Sequence, residues 1–198
     1  MSRLEETIRA LTRESVTVEL LLSVASTANQ AKSLREALAS GLEILCNYLD
    51  FHVGHACLVQ EPGSLLSSSG LWYGDEARSL RALRIDDAAL GLTGAALSAQ
   101  RPVVAKAGSN HPAAQSIVED FCVGLAFPIF VEATIVAVIE LYARRSCEID
   151  GPTLAVLQLT ADQLGLVAQR ERRELELRSA LHAAERELIR RSELTGGG

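Results

Sequence analysis

The side chains best able to ligate a metal, hold haem or act as a nucleophile in this sequence are its four histidines and four cysteines. His52 and His55 stand in HVGH, Cys57 follows two residues on, and His111 lies in SNHPAAQ. On a strand, positions 52 and 55 point to opposite faces, so the two histidines cannot clasp one ion without a bulge. His55 and Cys57 share a face, yet two ligands alone make a weak site. His111 follows a cap-type Asn110 and precedes Pro112, the pattern of a solvated helix start. Cys46, Cys57, Cys122 and Cys147 form no C-x-x-C pair and no zinc spacing, so reduced and mostly buried thiols are expected. No Ser-His-Asp order, supported carboxylate pair, Walker loop or dinucleotide fingerprint occurs. The chain is therefore expected not to be an enzyme, with no catalytic, metal or assigned cofactor residue.

The element most able to position these groups is the apolar run CVGLAFPIFVEATIVAVIELYARR, Cys122 to Arg145. A spanning helix needs roughly 20 apolar residues, and a central carboxylate costs it about 2.5–3.5 kcal/mol. Glu132 sits mid-run, Glu140 lies further on, and Pro128 removes a backbone donor, so a membrane helix is excluded. Two antiparallel strands turning at Glu132-Ala133 fit instead. In the second, Thr134, Val136, Val138, Glu140 and Tyr142 share one face, and Ile135, Ala137, Ile139, Leu141 and Ala143 the other. Both faces are largely apolar, which predicts helices on both sides of a six- or five-stranded antiparallel sheet, an α+β architecture.

At 198 residues and 48% hydrophobic content, one well-buried domain with long helical extensions is expected. The net charge of -6, with arginines dispersed among acids, carries no nucleic-acid footprint. MSRLEETIRA has neither the apolar core of a signal peptide nor the acid-poor character of a transit peptide, so a cytoplasmic protein is expected, without membrane or nucleic-acid partners.

Leu4, Ile8, Leu11, Ser15, Val18, Leu22 and Ala25 recur at steps of four and three, a heptad seam that favours pairing with a second copy. Ser33 with Glu36 predicts a cap for a helix to Tyr48, its stripe being Leu34, Leu38, Leu42 and Leu45. Strands follow at 51–60 and 65–73, with a short one near 83–85. Gly91 and Gly94 bracket the start of a short helix to Gln100. Arg101-Pro102 ends it before a strand at 103–105, and a further helix is predicted over 110–120. Asp150 caps a final helix to about Ser192, which at 1.5 Å per residue spans about 60 Å and must project from the domain. Its seam Leu154, Leu157, Ala161, Leu164 and Ala168 gives way to Leu177, Leu181, Ala184 and Leu188, two residues out of phase. A stutter or a change of partner is expected within the charged stretch 169–176. Gly196 to Gly198 read as a linker, suggesting a piece of something larger.

Gly91-Leu92-Thr93-Gly94 followed by Ala99-Gln100-Arg101-Pro102-Val103-Val104, and Phe127-Pro128-Ile129 leading into Ile135 to Leu141, resemble the GAF domain, the small-molecule sensory module of signalling proteins. The resemblance covers residues 20 to 170. It implies a bacterial signalling protein of sensor-kinase or cyclic-di-GMP type with flanking coiled-coil helices. Family hairpins carry glycines where Ala133 and Ala137 stand here. The N-K…F…D-E pattern of cyclic-nucleotide binders, the Cys-His of bilin carriers and the H-I-A-C-D type motif of the sulfoxide reductases are absent.

The resulting organisation is a dimerisation helix over 1–30, a GAF-like sensory domain over 31–165 and a signalling helix and tail over 166–198. The expected partners are a second copy bound through the terminal helices, an unidentified small molecule, and an output domain that is fused or separate. Trp72, Tyr73, Gly94, His111 and Cys122 are the candidate ligand-binding residues. The resemblance places His111 beside the ligand cavity, where haem-binding members use a histidine. The alternatives are a ligand-free dimerisation scaffold, a haem-based sensor and a redox enzyme using Cys122.

Overall fold

A computed structural model describes residues 3–59, 66–74, 91–116 and 120–195. The elements are α1 (Arg3–Gln30), α2 (Leu34–Leu49), β1 (Val53–Val59), β2 (Leu66–Tyr73), α3 (Leu92–Ala99), β3 (Val103–Lys106), a 3-10 turn (Pro112–Ser116), β4 (Val123–Val131), β5 (Thr134–Ala143) and α4 (Gly151–Thr195). Among the described residues the sheet has five strands, all antiparallel, in the order β2-β1-β5-β4-β3. Helices α2 and α4 cover one face, with α1 packed on those two helices, while α3 and the 3-10 turn cover the other. The strand expected near 83–85 lies outside the described residues. Of the helix expected over 110–120, only the 3-10 turn is seen among them.

The central strands β4 and β5 are buried on both faces, as their continuous apolar character requires. Leu125, Phe127 and Ile129 of β4 and Ile139 and Leu141 of β5 meet Leu38, Leu42 and Leu45 of α2 and Leu157, Ala161 and Leu164 of α4. Their hairpin turns at Glu132, whose φ of 57° is left-handed although the residue is not glycine. The expected alternation in β5 slips at one place. Ile129 pairs with Ala137 and Phe130 with Ile135, leaving Val136 as the extra residue of a bulge. Ile135 consequently packs with Val138 on the α3 side, and Val136 packs on the other.

Helix α2 begins as its sequence dictates, with Ser33 Oγ accepting from Glu36 N–H, and Asp150 caps α4 by accepting from Thr153 N–H at 3.0 Å. Helix α4 approaches the β4 backbone closely at Gly165. A Cβ there would lie well inside 3 Å of the Phe130 carbonyl oxygen and 3.4 Å from its carbon.

The two terminal helices each carry two faces. In α1, Leu20, Val24 and Ala28 bury against the domain, while Val18 and Leu22 of the predicted heptad seam point outward, Leu22 being 65% exposed. In α4 no stutter is needed to account for the second stripe. At 3.6 residues per turn, Leu177, Ala184 and Leu188 fall within about 40° of Leu159 and Leu166, on the side opposite Leu157 and Leu164. All four leucines of that outer line are exposed, Leu177 at 71%. One uninterrupted helix therefore uses its inner face for its own sheet and keeps a separate outer one.

Candidate functional site

The α3 side of the sheet carries a row of paired residues, Trp72 on β2, His55 on β1, Glu140 on β5 and Ala126 on β4. Strand alternation places them there, because each belongs to the set facing away from α2 and α4. Glu140 is 1% exposed and His55 4%. Burying a carboxylate is costly unless donors surround it, and among the described residues Thr93, Tyr142 and His55 do so. Thr93 of α3 donates its hydroxyl to Glu140 Oε2 at 2.7 Å, and Tyr142 donates to the same oxygen at 2.9 Å. His55 Nδ1 lies 2.8 Å from Oε1. A proton on Nδ1 lets the ring donate to the carboxylate, leaving Nε2 to meet Ser68 Oγ at 2.8 Å.

The indole of Trp72 stacks on the His55 ring at 3.8 Å between centroids and 18° between planes. Cys57 Sγ stands 3.7 Å from His55 Nδ1 in a fully buried position. Thr93 spans from α3 to the sheet, so the short helix above this row is tied to the carboxylate beneath it. Chemically the cluster combines an acceptor, an imidazole able to move a proton, a thiol and an aromatic face.

Of the residues proposed from the sequence, Trp72 is in this cluster and Gly94 is the neighbour of Thr93. Tyr73 projects to the opposite side, where its hydroxyl donates to Asn47 Oδ1 of α2 at 2.9 Å. His111 is exposed, and its Nδ1 accepts from Ala113 N–H at 3.2 Å. Cys122 is exposed at the start of β4. His52 lies just before β1, apart from His55, with Nδ1 accepting from Arg144 N–H at 3.5 Å. Glu140, Thr93 and Tyr142 were not among the candidates, and His55 was weighed only as a metal ligand. The available signal was a carboxylate inside an apolar strand, with histidine and cysteine alternating on another strand.

Burial pushes the Cys46 thiol, on the α2 side, up to about 12 and raises that of Cys147. Among the described residues, no group of three or more His, Cys, Asp or Glu could hold a metal ion, and no helix is long and apolar enough to cross a membrane.

Several solved structures share this fold. A free methionine-R-sulfoxide reductase from Neisseria meningitidis, in complex with its substrate, is 15% identical with a TM-score of 0.66, over 80% of this chain and 91% of that one. The GAF domain of a phosphoenolpyruvate-protein phosphotransferase from Coxiella burnetii is 18% identical with a TM-score of 0.65, over 80% and 95% of the two chains. The GAF domain of a protein described as a sensor histidine kinase from Pseudomonas syringae pv. tomato is 16% identical with a TM-score of 0.60, over 88% and 98%. The reductase corrects one expectation from the sequence. This fold houses an enzyme, so the lack of a familiar catalytic motif does not make the chain a non-enzyme. No curated protein matches. The GAF domain family model matches residues 31–169, well over half of the chain, and the chain belongs to the GAF family.

Proposed function

We propose that this chain is a dimeric cytoplasmic sensory module that couples a small molecule or redox state, recognised on the α3 side of the sheet, to an output domain through its terminal helices. GAF domains generally serve sensory or regulatory roles. The observation that carries the reading is the buried Glu140 with its three donors. Packing alone does not call for such a group, since an apolar replacement of similar volume is often as stable. Recognition sites do use buried polar clusters inside apolar walls.

The coupling route is supported by what lies on either side of β5 and β4. Ile139 and Leu141, the neighbours of Glu140, join the cluster that holds Leu157 and Leu164 of α4. The Phe130 side chain packs on the α3 side, whereas its carbonyl faces Gly165. A shift of α3 therefore has a packed path to α4.

The exposed outer lines of α1 and α4 support pairing with a second copy. Helix α2 is antiparallel to α4, because Leu34 meets Glu171 and Gly41 meets Leu164. Helix α1 folds back from α2 through residues 31–33 and packs on both α2 and α4, so it runs parallel to α4. A parallel dimer would carry a change in α4 packing into the projecting residues 172–195, and from there to an output domain.

A second reading is favoured by one observation. Leu92 and Ala96 of α3 already pack together with Ala113, Ala114 and Ala126, and the Glu140 donors all come from the chain itself. That arrangement suits a ligand-free dimerisation scaffold. Native mass spectrometry of the chain purified from cell extract, with a thermal-shift screen of metabolites, separates the two. A retained small-molecule mass on a dimer, lost in Glu140→Gln and Thr93→Ala, supports the sensor. A bare dimer indifferent to every compound supports the scaffold, and a bare monomer defeats both.

A further inference from the structure

Where α4 leaves the domain, two adjacent residues of opposite charge reach the corner between α1 and α2. Arg170 donates from Nη1 to Asn29 O at 3.5 Å, and from Nη2 to Ala28 O at 3.4 Å and to Ala31 O. Glu171 accepts the Leu34 N–H at 2.8 Å. The first set of partners is the carbonyl end of α1, and the second is the amide end of α2. A helix is partially negative at its carbonyl end and partially positive at its amide end, so each charge meets the end that attracts it. Two further amides of the corner are met locally, Lys32 N–H by Glu36 and Glu36 N–H by Ser33.

Position matters as much as chemistry. The inner face of α4 is buried up to Ala168, and from Arg172 to Arg191 the helix is exposed apart from the half-buried Glu187. Arg170 and Glu171 are the last contacts before it projects. We infer that they form a two-point clamp that ties α1 to the projecting part of α4 directly, so that displacement of α1 reaches residues 172–195 without passing through the sheet. Resting on the proposed relay role, the inference adds a second input. The module would combine a signal arriving along α1 with one arriving from the α3 side.

The test needs neither ligand nor dimer. The Leu34 amide is an orphan of the first turn of α2, and its exchange with deuterium reads the Glu171 bond across 137 positions of sequence. Glu171→Ala should raise its exchange roughly tenfold, the loss of one charge-assisted hydrogen bond. Exchanging the two charges, Arg170→Glu with Glu171→Arg, preserves composition but sets each against the wrong helix end, and should do the same. Arg170→Lys keeps the charge and leaves Glu171 in place, so Leu34 should stay protected.

Coupling is then read in a double-mutant cycle. Leu20→Ala loosens α1 within the domain and should speed exchange over 172–181 in the clamped protein, but add nothing in the charge-swapped one. Equal Leu20→Ala effects in both backgrounds, or a charge swap that leaves Leu34 protected, overturn the clamp. Failure of the ligand experiment above would leave these exchange results standing.

Discussion

Gly165→Ala is the substitution whose outcome depends most directly on how α4 meets the sheet. In an exposed helix, alanine in place of glycine stabilises by about 1 kcal/mol. At 165 the added Cβ would overlap the Phe130 carbonyl oxygen and come 3.4 Å from its carbon. These are backbone atoms, so no rotamer change relieves the clash, and the helix must move off the strand. Overpacking of this kind costs about 1–3 kcal/mol, and a backbone obstacle puts this site toward the upper end. After the propensity gain, a net loss of about 1–2 kcal/mol remains. At about 2–4 °C per kcal/mol for a chain of this size, the melting temperature should fall by roughly 2–8 °C. Gly151→Ala is the control, since nothing lies within 4 Å of its added Cβ. Calorimetry of both variants, with hydrogen exchange over 157–168, decides the matter. If Gly165→Ala melts at or above the temperature of the Gly151→Ala protein, close contact between α4 and the Phe130 carbonyl is refuted.

Thr93→Val keeps the shape of a fully buried side chain and removes one donor from Glu140, so urea unfolding should show a loss of about 1.5–3 kcal/mol. The Cys46 thiol keeps its proton in the folded chain until about 12, against 9.0 for an ordinary thiol. Between these values the unfolded state gives up the proton and the folded state holds it, so stability falls as pH rises above 9. Cys46→Ala should make that alkaline decline shallower in denaturant titrations followed across the same range. Leu177→Glu, on the outer line of α4, should shift sedimentation from dimer to monomer while the melting curve of the domain changes little, because Leu177 touches nothing in its own chain's core.

The order of elements was readable because each carries a local cause. Ser33 and Asp150 cap their helices, Pro102 follows the end of α3, and the β4–β5 run could only be a buried hairpin. What was not readable depends on pairing between distant segments. Of the α1 heptad positions, Val18 and Leu22 belong to the outward set. Leu20, Val24 and Ala28 hold the helix to its own domain, a choice made by α2 and α4 rather than by α1.

The same holds for the site. His55 and Cys57 were seen to share a face, as were Glu140 and Tyr142, but only the β1–β5 register makes His55 and Glu140 direct neighbours. Thr93 was visible only as part of a glycine-flanked helix start. Its tie to Glu140 follows from α3 lying over the sheet. The bulge at Val136 had no local signal, and it reversed the expected facing of Ile135.

The account stands on communication between the two sides of the sheet, and Glu140→Gln measures it most directly. The amide keeps the size of the carboxylate while weakening its hold on Thr93, Tyr142 and His55. Hydrogen exchange of the intact chain should then change in α3 and also along α4, over residues 157–176, on the side the substitution does not touch. Changes confined to α3 and the strands around Glu140, with α4 exchanging as in the unmodified protein, would contradict the account.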